Sequence, residues 1–362
     1  MQKSAHHVNL IRITHFATLS IYVRIGHAVM KRVALAICAL VCLTASSPPK
    51  PPPILDRYIH SDDFSISDFE WMRGAFPEAS QSEKIEYKSI DDWLEECAVA
   101  ARAEFSNDLQ AMGIENPQLD LTSHSYPICD QFASKPMLDA FANFEEFSKA
   151  ITSTKPIFQT LVATTDLAEM IAGPTTTSLA DELMHRPMSE QIYRNAISWT
   201  QLSKPVEGIP TLTAHQKPVL LAMLISEIRK RDRANTAWMK QIISLHGWPT
   251  FSLVGEDASR KAWLIVQHAD HDPVFQLKVL RLMEPLARQN EVSPKDYAYL
   301  YDRVMLKISG FQRYATQVTC ADGKRIPMPL ADEKNMPDYR QSVGLEPFEE
   351  YLNQFPYSCP PN

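Results

Sequence analysis

From Ser89 to Met112 the apolar residues Ile90, Trp93, Leu94, Cys97, Ala98, Ala101, Phe105, Leu109 and Met112 return every three or four positions. That spacing gathers them on one side of an α-helix and would scatter them over both faces of a strand. An amphipathic helix is therefore expected here, with Ser89 as N-cap and Asp92 three residues on. The same rhythm recurs down the chain, so the fold class is mainly α. Helical patterns cover Pro136 to Ala172, with a break expected before Pro156, then Ser178 to Trp199 and Lys217 to Leu245. Gly247 closes the last of these, with Pro249 just beyond. Further helices start at Gly255-Glu256-Asp257, at Asp272-Pro273 and at Ser293-Pro294, where a capping side chain precedes an N1 proline in the last two. Hairpin signals are sparse. The C-terminal part, with Ile326-Pro327-Met328-Pro329, is expected to be short, proline-rich and irregular, ending in a helix over Pro347 to Phe355.

Residues 1–45 differ from the rest. They carry five basic residues and no acidic one, and Met30-Lys31-Arg32 leads into an apolar run from Val33 to Leu43. This is the layout of an export signal, with small residues at Ala45 and Ser46 for cleavage and translation expected to start at Met30. The apolar run is too short to span a bilayer, so no stable membrane insertion is expected after cleavage. Neither Cys38 nor Cys42 has the small preceding residue of a lipid-attachment site. Residues 46–53 form a proline-rich tether, residues 54–172 an N-terminal helical region, and residues 180–355 a second helical domain that holds the polar motifs. Gly173 to Thr177 is the expected boundary.

Of the 36 Lys and Arg, five fall in the first 45 residues, leaving 31 against 43 acidic residues and a net charge of −12. Such a surface repels phosphate backbones, which argues against nucleic-acid partners. Ten glycines against 26 prolines, with no G-x-G-x-x-G or P-loop pattern, leave no support for a nucleotide site. Four cysteines remain beyond residue 45, an even number that predicts two disulfides in a periplasmic or secreted protein. Proximity favours Cys97–Cys129 and Cys320–Cys359.

Chemistry concentrates in Gln267-His268-Ala269-Asp270-His271-Asp272-Pro273, where two imidazoles and two carboxylates fall within five positions. Around it, in order, stand His246-Gly247-Trp248-Pro249, Ala298-Tyr299-Leu300-Tyr301-Asp302-Arg303-Val304 and Gln312-Arg313-Tyr314-Ala315-Thr316-Gln317. This succession of blocks resembles a bacterial domain-of-unknown-function family over roughly Ala180 to Leu352. Ala315 stands where that family more often carries glycine. The resemblance implies a polar, motif-lined surface and no particular chemistry.

Asp272 before Pro273 is explained by helix capping. His268 and His271, three apart at a helix end, can share a face and serve as general base with Asp270 as a further catalytic carboxylate. Arg303, with Asp302, Tyr314, Gln317 and His246, forms the expected ligand-binding set, because a guanidinium beside hydroxyl and amide groups suits a small polar or anionic molecule. An exported ligand-binding protein is the first expectation. A hydrolase using His268 or His271, with or without a metal-bound water, is the second. No metal or cofactor is assigned. The run Arg229-Lys230-Arg231-Asp232-Arg233 is expected to be a solvated helix face.

Overall fold

A computed structural model describes residues 48–58, 69–119, 126–173, 178–202, 204, 206–355 and 359. The export signal and the Met30 start lie outside the described residues, as does most of the expected boundary loop. The described helices begin with α1 (Gln81–Ala111), α2 (Pro127–Ala133), α3 (Phe144–Ala172), α4 (Leu179–His185) and α5 (Met188–Gln201). There follow α6 (Gln216–His246), α7 (Phe251–Val254), α8 (Glu256–Gln267), α9 (Pro273–Arg288) and α10 (Pro294–Ser309). The chain then forms a hairpin of β1 (Val318–Ala321) and β2 (Lys324–Pro327), and closes with α11 (Met336–Ser342) and α12 (Phe348–Leu352). The protein is mainly α-helical.

Helix α1 starts earlier than its apolar rhythm suggests. Ser80 is the N-cap, its hydroxyl accepting from Glu83 N–H while the Glu83 carboxylate accepts from Ser80 N–H. Ser89 instead lies inside the helix, donating its hydroxyl to the Glu86 carbonyl. The break expected before Pro156 is also absent, and α3 runs straight through it. Proline there removes one backbone hydrogen bond, but Ile151, Thr154 and Phe158 are buried on both sides of it, which holds the two halves in line. The single helix expected from Ser178 is split in two by Pro187, which becomes the N-cap of α5. Asp272 caps α9 as expected, accepting from Phe275 N–H at 2.8 Å.

The C-terminal part is more regular than its prolines suggest. β1 and β2 pair antiparallel, Ala321 opposite Lys324, around an Asp322-Gly323 turn in which both residues have positive φ (51° and 70°). Such two-residue turns match the twist of the strands they join, and Asp-Gly is a preferred pair for them.

Among the described residues two large apolar cores share this framework, beside a small cluster of Ala298, Tyr314 and Leu345. The first gathers Leu55, Phe69, Trp71, Phe132, Phe147 and their neighbours, and the second Leu183, Val266, Val279, Leu300 and theirs. Helices α1 and α6 enter both. On α6, Val219 to Ile228 pack into the first core, and Met239 and Ile242 into the second. The stretch between them is polar, so a charged seam is laid between two apolar masses. Disulfides Cys97–Cys129 and Cys320–Cys359 tie α1 to α2 and β1 to the C-terminal end. Among the described residues no helix is long and apolar enough to cross a membrane.

Candidate functional site

The seam is assembled from five elements. Glu190 and Arg194 lie one turn apart on α5, and Arg229, Asp232 and Arg233 on α6. Asp130 comes from α2, Arg303 and Lys307 from successive turns of α10. His268, Asp270 and His271 sit in the turn where α8 ends, pinned by Ala269 N–H to Val266 O and Asp272 N–H to Ala269 O. Together Asp130, Arg194, Arg229, Asp232, His268, Asp270 and His271 line a cavity of about 200 Å³, with Ile197, Ile225 and Ile228 as its apolar wall.

Arg194 bridges two carboxylates, its Nε donating to Glu190 Oε2 and a terminal nitrogen to Asp232 Oδ2, both at 2.6 Å. Glu190 is 1% exposed, and its other oxygen lies 3.1 Å from His268 Nδ1. Burial raises the Glu190 carboxyl, but His268, Gln191 and Arg194 together outweigh it and hold the group ionised. Asp232 is different. Burial, reinforced by Glu190, pushes it up to about 7 against the pull of Arg194, and its Oδ1 is buried without a hydrogen-bond partner. Burial also lowers His268, so its imidazole is neutral near pH 7. At His271, burial and the Arg233 guanidinium push the value down to about 4.

The neighbouring carboxylates are ion-paired, although Asp130 Oδ1, like Asp232 Oδ1, is buried without a hydrogen bond. Burial would raise Asp270, but Lys307 and Arg303 hold it far below the ordinary carboxylate range. Arg303 Nε donates to Asp270 Oδ1 at 2.9 Å, its terminal nitrogen to Oδ2, and Lys307 Nζ to Oδ1 at 2.8 Å. Arg233 donates twice to Asp130 Oδ2, and Arg229 lies 3.2 Å from Oδ1. The run expected to be solvated is thus mostly turned inward, with only Lys230 exposed. Arg231 completes it by donating to Asp166 and Tyr193 on the flank of α6.

The structure brings together His268, Asp270, His271 and Arg303, and separates them from the rest of the expected set. Asp302 points to the other side of α10, fully buried, where it accepts backbone N–H from Arg313, Tyr314 and Thr316 and the Thr316 hydroxyl. Tyr314 packs edge-on to Tyr301 and Tyr339. Gln317 N–H donates to Gln312 Oε1, and its side chain to Thr316. Arg340 and Tyr351 grip the same loop by donating to the carbonyls of Tyr314 and Thr316. At its centre Ala315 has φ 54°, the left-handed region that favours glycine. His246 is exposed at the end of α6, fourteen residues past Asp232 and so about 21 Å along the axis.

Sequence reading missed Glu190, Arg194, Asp232 and Asp130. Only Asp232 left a trace, as a lone carboxylate inside a basic run. Glu190, Asp232 and His268 also offer three atoms within 4.8 Å of one another that are of metal-ligating type.

Residues 210–357 match the model of a family of unknown function, DUF6624. The match begins later than Ala180 and takes in Asp232, His268, Asp270, His271, Asp302, Arg303, Tyr314 and Gln317, leaving Glu190 and Arg194 outside. No curated protein and no solved structure matches the chain.

Proposed function

We propose that this protein works outside the cytoplasm and that its seam cavity binds a small anionic or hydroxyl-rich molecule. Export is supported by the basic and apolar start of the sequence and by two disulfides, which persist in oxidising compartments. One observation carries the binding reading, the charge balance around the cavity. Arg194 and Arg229 line the cavity beside Asp130, Asp232 and Asp270, and Arg233, Arg303, Lys307 and Glu190 pair with that lining from behind. The seam as a whole thus sets five cations against four carboxylates, of which Asp232 carries a proton for part of the time at neutral pH. Excess positive charge in a poorly solvated space favours an anion. It also weighs against a metal ion at Glu190, Asp232 and His268, since a dication would have to sit beside the Arg194 guanidinium that already pairs with both carboxylates. A cavity of about 200 Å³ limits the guest to a few heavy atoms or one end of a larger molecule. A thermal-shift series with phosphate, acetate and citrate tests this. Saturable stabilisation that weakens at least tenfold in Arg229→Gln is expected; stabilisation by zinc or manganese instead would overturn the anion assignment.

A second reading is favoured by the Glu190–His268 contact. A buried carboxylate on Nδ1 fixes the ring and leaves Nε2 as a neutral general base. Under that reading the protein is a hydrolase, and His268→Gln lowers turnover of a responsive ester or phosphoester at least a hundredfold. Unchanged turnover would remove His268 from the chemistry.

A further inference from the structure

A larger cavity, about 520 Å³, opens on a different face of the α5–α6 pair and shares no lining residue with the seam. On α6 it is lined by Arg231, Ala234, Asn235 and Trp238, whereas the seam cavity takes Ile225, Ile228, Arg229 and Asp232. At 100° per residue these two stripes lie about 120° apart on the helix. The volume falls in the range of sites that enclose small organic ligands.

Arg186, at the end of α4, is the unusual residue in this wall. Its Nε donates to Asn235 Oδ1 at 3.1 Å, and its guanidinium lies over the Trp238 ring at 4.9 Å. Asn235 is itself buried, so the guanidinium is anchored from the inside of the protein. Its two terminal nitrogens make no hydrogen bond and no ion pair among the described residues. A half-buried guanidinium in this state is poorly compensated, and burial lowers its pKa, with Glu182 and Glu169 acting in the opposite direction from farther off. Glu182 lies one helical turn before Arg186 and lines the same cavity, and among the described residues its carboxylate has no hydrogen bond or ion pair. A cation and an anion four residues apart on one helix ordinarily pair with each other. Here both line a space of ligand size whose wall also includes Trp238 and Met188.

We propose that this cavity binds a small zwitterion, an amino acid or dipeptide, with its carboxylate on Arg186 and its ammonium on Glu182. A planar guanidinium whose two terminal nitrogens are free presents one edge that matches a carboxylate in a bidentate pair, and Trp238 with Met188 adds apolar lining for a side chain. This inference does not rest on the seam cavity, and the two can fail separately.

Calorimetric titration of the folded protein with L-phenylalanine and with Ala-Phe tests it, beside phenylpropionate, which lacks the ammonium, and phenethylamine, which lacks the carboxylate. At least one zwitterion is expected to bind saturably, and both half-ligands at least tenfold more weakly. Arg186→Gln and Glu182→Gln should each weaken the zwitterion at least tenfold, while Arg229→Gln in the seam leaves it within twofold. Circular dichroism establishes that each variant is folded, and Glu182→Gln, on the rim, serves alone where Arg186→Gln does not fold. The proposal is overturned if neither zwitterion binds at millimolar concentration, if the half-ligands bind equally well, or if Glu182→Gln leaves affinity unchanged.

Discussion

Asp232 and Asp302 are both buried aspartates on long helices of the same protein, and they are satisfied in opposite ways. Asp302 spends its acceptors on three backbone N–H groups and a hydroxyl of one loop. Asp232 has a single arginine on one oxygen and nothing on the other, and it faces a cavity. Complete satisfaction by neighbouring backbone marks a carboxylate that builds structure, here the loop from Gln312 to Gln317. An acceptor left open in a charged seam, held near neutrality by burial, marks one available to a ligand or a proton. The contrast divides the polar motifs of this chain into a structural set around α10 and the C-terminal hairpin, and a candidate functional set between the two cores.

The largest effect should come from breaking the structural side. Asp302→Ala strands three N–H donors in a buried loop and is expected to cost about 3–5 kcal/mol, read as a lower denaturant midpoint. A cost under 1 kcal/mol would show that the loop does not depend on Asp302, and the contrast with Asp232 would lose its basis.

Asp232→Asn should act mainly on the pH profile. Its folded value lies near 7, above that of the unfolded chain, so the native state holds a proton that the unfolded state has lost. Its stabilising contribution is therefore full at low pH and disappears as pH rises from about 4 to 7. The variant should flatten that decline by about 3–4 kcal/mol, as followed by urea unfolding at several pH values. An unaltered profile would mean that Asp232 titrates normally.

His271→Gln should show the opposite slope on a smaller scale. The folded value near 4 lies below the ordinary histidine value, so the unfolded chain takes up the proton first as pH falls. Wild type should lose about 2–3 kcal/mol between pH 6.5 and 4 from this group, and the variant should not. Equal loss in both would place His271 in solvent.

Much of the scaffold was legible because it is local. The caps at Asp272 and Ser293 and the stop at Gly247 are decided within a turn or two of chain, and the cysteine pairs followed from proximity, at separations of 32 and 39 residues. Ser80 to Glu83 was equally local, but the apolar rhythm drew attention to Ser89, nine residues downstream. The Asp322-Gly323 turn was visible too and was overshadowed by the prolines after it. The site was less legible for a different reason. Its pairs join residues far apart, His268 with Glu190 across 78 positions and Arg233 with Asp130 across 103. A basic run on a helix looks the same from sequence whether it meets water or carboxylates from two other helices. The adjacent Asp302 and Arg303 could be placed on different faces of one helix, but not assigned to the loop and to Asp270.

The central claim is that the cations of the seam, with Asp232 carrying a proton for part of the time near pH 7, form an anion site. A crystal soaked in sodium selenate near pH 7, measured at the selenium edge, tests it most directly. The account predicts an anomalous peak in the cavity within hydrogen-bonding distance of Arg194 or Arg229, absent in Arg229→Gln. A cavity without selenium at saturating selenate, or one holding a metal ion on Glu190, Asp232 and His268, would contradict it.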